Sequence, residues 1–168
     1  MTKAIWGLEQ FALFKGLNPN EIQAVSQIVA KNTYHPGDII TDQNNKYRDV
    51  FVLVNGRVDI MSLNGVPLYR IANGETFGEL ALISGVKRTA VAVSREDSIV
   101  IHLNINHLET FGEENPNVYR IISGNLVTSL GIKLARANKL IELLKSELAK
   151  TMRKPSPDQN PAEIQTES

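Results

Sequence analysis

Phe77-Gly78-Glu79-Leu80-Ala81-Leu82-Ile83-Ser84-Gly85-Val86-Lys87-Arg88-Thr89-Ala90-Val91 stands mid-chain, between two groups of strand-like segments. The stretch reads as an anion site. Gly78 lets the backbone come close to a ligand, and Glu79 to Ile83 can form one short helical turn whose N–H groups and dipole favour a phosphate. Arg88 follows across the glycine turn at Gly85, at the start of an apolar strand. Its planar guanidinium suits phosphate oxygens, while Glu79 suits sugar hydroxyls. Acid and base would hold different parts of one ligand.

The stretch closely resembles the phosphate-binding cassette of the cyclic nucleotide-binding domain family, F-G-E-L-A-L-I-x-G-x-x-R-[TAS]-A, and matches it throughout. The resemblance implies a set of ligand-binding residues: Gly78, Glu79, the amides of Leu80 and Ala81, Arg88 for the phosphate, Thr89 for phosphate or base, and Ala90 beside it. Glu79 and Arg88 lie nine positions apart, as in regulatory subunits of cAMP-dependent kinase and one fewer than in the bacterial catabolite activator. The ligand implied is cAMP or cGMP, with no other cofactor. A domain of the family that has lost its ligand usually lacks the Arg or the Glu, and this chain has both.

The 168 residues, 42% of them hydrophobic, can form one cored domain with appendages. Lys+Arg and Asp+Glu both number 18, so the formal net charge is zero and there is no overall electrostatic footprint for nucleic acid or an acidic membrane. The chain has no cysteine, which excludes disulfides and thiolate metal sites. No apolar run approaches a membrane span, and the N-terminus lacks a signal-peptide core, so a cytoplasmic protein is expected. His35, His102 and His107 are scattered and have no carboxylate cluster near them, so no metal site is expected. The sequence holds neither a G-x-S-x-G nor a P-loop pattern and offers no reaction chemistry.

Ile5, Leu8, Phe11 and Phe14 predict a short amphipathic helix ending near Gly16. Asn18-Pro19-Asn20-Glu21 signals the next one, with Ile22, Val25 and Val29 on its apolar face. From Lys31 to Leu103 the pattern changes to about eight short strands separated by turn residues, which suits an antiparallel jelly-roll barrel. Asn55-Gly56 predicts a two-residue hairpin between Val50–Val54 and Arg57–Met61. The fold expected is therefore mainly β with flanking helices: N-terminal helices over 1–30, the barrel over 31–103, a small helix and a long one over 104–150, and a disordered tail over 151–168. In the loop Gln43 to Arg48 the chain departs from the family, which usually has a glycine followed by an acid there.

The long helix begins at the Asn115-Pro116 cap. Along it Val127, Leu130, Leu134, Ala137, Ile141, Leu144 and Leu148 alternate steps of three and four, an a/d seam of about three heptads that predicts a parallel homodimer. A helix packed along its own domain is the alternative. Where the catabolite activator sets two hydroxyl residues against adenine, the expected counterparts are Lys133 and Leu134. The Pro-rich, polar segment after Lys150 stands where that activator continues into a DNA-binding domain. The expectation is thus a sensing half alone, binding no DNA and acting on an unknown downstream protein. A structural dimerisation or scaffold module with a vestigial pocket is the alternative reading.

Overall fold

The computed structural model describes residues 7–83 and 85–152. Eight strands form: β1 (Val29–Tyr34), β2 (Ile39–Thr41), β3 (Asp49–Asn55), β4 (Val58–Ser62), β5 (Pro67–Ile71), β6 (Thr76–Phe77), β7 (Ala90–Ser94) and β8 (Ser98–Asn104). They make two four-stranded antiparallel sheets, ordered β1-β8-β3-β6 and β2-β7-β4-β5. This is the jelly-roll arrangement expected, as two facing sheets rather than a closed barrel. Three α-helices accompany them: α1 (Pro19–Val25), α2 (Ile105–Glu114) and α3 (Pro116–Met152).

The apolar run at β3 explains the layering. Phe51 and Leu53, with Phe77 and Val100 of the same sheet, face the second sheet, where they meet Val58, Ile60, Ile71 and Ala92. Val50 and Val52 point the other way, into a core shared with Leu8, Phe14, Ile22, Val25, Leu108, Val118, Ile122 and Leu126. Successive strand residues alternate faces, so a strand buried on both sides must be apolar at every position. The first sheet is thus a middle layer between helices and the second sheet. Burying one such side chain contributes roughly 1.5–3 kcal/mol, which makes this the best-anchored part of the molecule.

The N-terminal segment departs from the helix expected there. Leu8–Gln10 and Ala12–Phe14 form two 3₁₀ turns separated by extended Phe11 (φ −90°, ψ 136°). The apolar spacing of Leu8, Phe11 and Phe14 is a uniform three, which is the period of a 3₁₀ helix and not of an α-helix. Ile5 and Trp6 lie outside the described residues. Helix α1 carries the capping box that the sequence predicts, Asn18 Oδ1 accepting from Glu21 N at 3.0 Å and Glu21 Oε2 accepting from Asn18 N at 2.8 Å. It stops at Val25, however, and Val29 opens β1 opposite Leu103. Pairing with β8 takes that residue from the helix.

Asn55-Gly56 does turn the chain, but not as a hairpin. β3 pairs with β6 and β8, and β4 pairs with β5 and β7, so the turn passes from one sheet to the other. Gly56 (φ 107°) is needed at the crossing, because a Cβ there would run into the Ser98 hydroxyl and come within 2.6 Å of Ser98 Cα and 2.7 Å of the Asp97 carbonyl.

By its contacts the chain divides into two units, one through Leu130 and one from Gly131. The first holds both sheets, α1, α2 and the beginning of α3. Among its described residues the second is helix alone, with Leu134, Ile141, Leu144 and Leu148 each half or more exposed (63, 50, 60 and 60%). Ion pairs Lys139–Glu142 at 2.9 Å and Lys150–Glu147 at 2.7 Å lie along it. Helix α3 continues through Thr151 and Met152, and the rest of the tail predicted over 151–168 falls outside the described residues.

Gly56→Ala should cost about 2–4 kcal/mol, since it combines a strained positive φ with backbone overlap. Urea denaturation of the variant reads this directly, and a midpoint equal to the parent's would show that the crossing relaxes.

Candidate ligand-binding site

The segment between β6 and β7 has almost no regular structure, so side chains do its hydrogen bonding. Glu79–Leu82 form a single 3₁₀ turn entered through Gly78 at φ 80°, a left-handed conformation that favours glycine. The space is closed as well. A Cβ on Gly78 would lie 2.9 Å from Arg88 Nη1, 2.9 Å from Phe51 Cδ2 and 3.1 Å from the Asp49 carbonyl.

Arg88 lies against that glycine. Its Nη1 donates to the Gly78 carbonyl at 3.0 Å, and its Nη2 donates to the carbonyls of Asp49 at 2.7 Å and Tyr47 at 3.2 Å. The guanidinium sits 5.6 Å from the centroid of the Phe51 ring, close enough for a cation–π contribution. Burial pulls its pKa below the usual arginine value, and the Asp49 carboxylate pushes in the opposite direction. Among the described residues no contact takes its Nε hydrogen or its second Nη1 hydrogen. Two of its five N–H hydrogens thus have no acceptor among the described residues.

Glu79 is almost fully buried, at 4% exposure. A carboxylate there requires partners. Its Oε1 accepts from Thr76 Oγ1 at 2.7 Å and from Ser129 Oγ at 2.9 Å, and those two hydroxyls are 2.7 Å from each other. Ser129 belongs to α3, so this helix reaches the cassette. Tyr69 on β5 is near as well: burial raises its phenol pKa, and the charges of Glu79 and Glu75 raise it further.

Of the residues predicted for the site, Gly78, Glu79 and Arg88 come together in this way. Ala81 is buried and its amide is used inside the turn, donating to the Gly78 carbonyl at 3.0 Å. The Leu80 amide makes no such backbone bond among the described residues. Thr89 is exposed, and Ala90 opens β7 opposite Ser62 on β4.

Two residues escaped the sequence reading. Arg48 uses all five of its N–H donors: Nε on the Ala81 carbonyl (2.9 Å), Nη2 on the Leu82 carbonyl and Glu109 Oε1 (3.0 Å each), and Nη1 on Asn106 Oδ1 (2.9 Å) and Glu109 Oε2 (3.0 Å). It fastens the cassette to α2. The Gln43–Arg48 loop, where a glycine and an acid were missed, is instead built on side-chain caps, with Asp42 accepting from Asn44 N at 2.9 Å and Asn45 from Tyr47 N at 2.8 Å. The second residue is Ser129, a hydroxyl brought to the site by α3 where none was expected.

Two of the three histidines find ordinary side-chain partners. His102 is hydrogen-bonded to Tyr34 Oη at 2.9 Å, stacks on that ring and meets Phe51 edge-on, and burial lowers its pKa. His35 pairs with Asp97 at 2.8 Å on the surface, which raises its pKa.

Residues 31–115 match the family described as the cyclic nucleotide-binding domain. The chain belongs to that family. A potassium channel of rice (Oryza sativa subsp. japonica), KAT2, is 30% identical over 123 residues, 71% of this chain and 20% of the channel. Glutaminase 1 of Bradyrhizobium diazoefficiens is 27% identical over 139 residues, 83% of this chain and 22% of that protein. The chain thus spans about a fifth of the length of these curated relatives. Among solved structures the Thermus thermophilus catabolite activator protein superposes with a TM-score of 0.65 at 26% identity, covering 80% of this chain and 63% of that one. A cyclic nucleotide-binding domain from Methylobacillus flagellatus gives 0.71 at 14% identity, covering 80% and 78%, a likeness of fold. Among the described residues of this domain no helix is long and apolar enough to cross a membrane.

Gly78→Ala should displace Arg88 from Phe51 and from the Gly78 carbonyl while leaving the sheets intact. The ring-current-shifted resonances of Phe51 report this by NMR. Unchanged shifts would mean that the turn absorbs the methyl group without moving the arginine.

Proposed function

We propose that the chain is a cytoplasmic cyclic nucleotide receptor, not itself an enzyme, in which Arg88 holds the cyclic phosphate and Glu79 the ribose hydroxyl. The observation that carries this reading is that Arg88 and the buried Glu79 meet at Gly78, in a member of this family, without pairing with each other. Arg88 keeps two hydrogens for an anion, and the Leu80 amide adds a third donor. Thr89 is exposed directly after Arg88, which suits a contact with phosphate or base. The scaffold reading does not account for why a buried carboxylate and a half-buried guanidinium are held at one turn, at a desolvation cost to both.

The contact between α3 and Glu79 supports output through this helix. Nucleotide binding changes the partners of that carboxylate, and a helix touching it can only be shifted by such a differential contact. The exposed seam residues Leu134, Ile141, Leu144 and Leu148 favour a second copy of this chain as the helix's partner, since the a/d spacing suits a parallel pair and buries them mutually. The signal would then pass to a downstream protein. With few polar groups to read the base edge, discrimination should be modest: cAMP preferred, with cGMP within about two orders of magnitude, or roughly 3 kcal/mol.

Titration calorimetry with cAMP, cGMP and 2′-deoxy-cAMP tests the receptor reading. Arg88→Ala should weaken cAMP binding by about 2–5 kcal/mol, with Arg88→Lys, which keeps charge but loses the planar fork, recovering only part. Glu79→Ala should cost about 1.5–3 kcal/mol on cAMP and nothing on the 2′-deoxy ligand. No heat from the parent protein with any nucleotide would leave the scaffold reading standing.

A doubly charged seam, Leu134→Glu with Ile141→Glu, should yield a monomer, because a low-dielectric interface cannot hold unpaired carboxylates. Sedimentation equilibrium decides it. An unchanged mass, or a monomeric parent, would remove the dimer.

A further inference from the structure

The hydroxyl of Ser129 lies 2.9 Å from Oε1 of Glu79, the carboxylate proposed above to hold the ribose hydroxyl, and Thr76 Oγ1 contacts the same oxygen at 2.7 Å. The two hydroxyls lie only 2.7 Å apart. Three short O···O contacts are thus served by two hydroxyl protons, since Glu79 as a carboxylate supplies none. If both hydroxyls donate to Glu79, no proton lies between Ser129 and Thr76; if Ser129 donates to Thr76, its contact with Glu79 is bare. One side of the triangle is always a lone-pair contact. The α3 side is the one that can open, because Thr76 is fixed in β6 opposite Val52 whereas Ser129 lies beyond Leu126, the last fully buried residue of α3.

We infer that Ser129 is an internal stand-in for the ligand's ribose hydroxyl, so that nucleotide binding and docking of α3 on the cassette compete for Glu79. This rests on the receptor reading above. On this account Ser129 sets affinity with a sign opposite to that of an ordinary contact residue: its hydroxyl weakens binding, because the ligand must first break its bond. The inference also supplies the differential contact that the α3 output requires, since the group displaced is on the helix itself. Nothing else holding the start of α3 depends on that hydroxyl. Val118, Ile122 and Leu126 are buried, and Asn125 Nδ2 donates to the carbonyls of Leu13 and Lys15 at 2.9 Å each.

The test compares the parent, Ser129→Ala and Ser129→Thr, each titrated with cAMP and with 2′-deoxy-cAMP. A net hydrogen bond is worth a factor of roughly 3 to 10 in affinity, and Ser129→Ala should tighten cAMP by that factor. It should leave the 2′-deoxy ligand unchanged within about twofold, as that ligand has no hydroxyl with which to displace Ser129. Ser129→Thr keeps the hydroxyl and should behave as the parent. Equal tightening on both ligands would mean only that the helix has loosened, and weaker or unchanged cAMP binding would make Ser129 a contact or a bystander. Each of these overturns the inference while the receptor reading stands. A parent that binds neither nucleotide overturns the reading itself.

Discussion

Two arginines hold the cassette by grasping each other's surroundings. Arg88 donates to the carbonyls of Tyr47 and Asp49, the residues on either side of Arg48, and to that of Gly78. Arg48 donates to the carbonyls of Ala81 and Leu82, a few residues further along the same turn, and its own carbonyl accepts from Ile105 N at 2.7 Å. A segment without strand or long helix has no ladder of its own to satisfy these carbonyls, and leaving them bare would cost about 1–3 kcal/mol each. The interlock therefore fixes the turn to β3 on one side and to α2 on the other. A guanidinium can do this where an ammonium cannot, because its donors lie in one rigid plane.

That interlock needs something firm beneath it, and the middle sheet provides it. Phe51 lies under Arg88 and stacks on Phe77 at 4.9 Å, while the next residues toward either end of β3 face the helical core. His102 across the strand closes the other edge of Phe51. The same core receives the N-terminal 3₁₀ turns and the start of α3, whose Asn125 bridges to the Leu13 and Lys15 carbonyls. Cassette, N-terminal turns and the beginning of α3 are thus three neighbours of one doubly buried sheet. Ser129 of α3 touches Glu79 directly, so the proposed coupling between site and helix needs no longer route.

What could be read in the sequence was what is local. The cassette, the capping box of α1, the Asn115-Pro116 break and the number of strands all declare themselves within a few residues. The failures are non-local. Asn55-Gly56 looks like a hairpin because the turn chemistry is right, but β3 pairs instead with β8, some forty residues later, and Ser98 at its start and Asp97 just before it close in on Gly56 at the crossing. Val29 continues the helical spacing of α1 and is taken instead by Leu103. Arg48 meets the cassette across 33 and 34 positions and α2 across 58 and 61, and Ser129 meets Glu79 across 50. Neither pairing leaves a periodic trace. The uniform spacing of three at Leu8, Phe11 and Phe14 was a legible signal, and it belongs to a 3₁₀ path.

The charge arrangement at Gly78 bears on the anion site proposed for a chain of zero net charge. Net charge says little here, because the relevant cation is a single half-buried arginine. Burial lowers its pKa, but arginine starts so far above neutrality that the guanidinium stays charged across the physiological range, where a lysine or histidine in the same place could lose its proton. The simplest way to offset that buried charge would be to pair it with Glu79 nearby. The structure does not do so. Arg88 is compensated by carbonyl dipoles and Glu79 in part by hydroxyls, and such neutral partners can be exchanged for a ligand's phosphate and hydroxyl without leaving a buried ion unpaired. A direct Arg88–Glu79 salt bridge would have to be broken before either group could bind anything, at a cost of several kcal/mol. Keeping the two charges apart, with Arg88 on neutral carbonyl partners, is what the proposed anion contact at Arg88 needs.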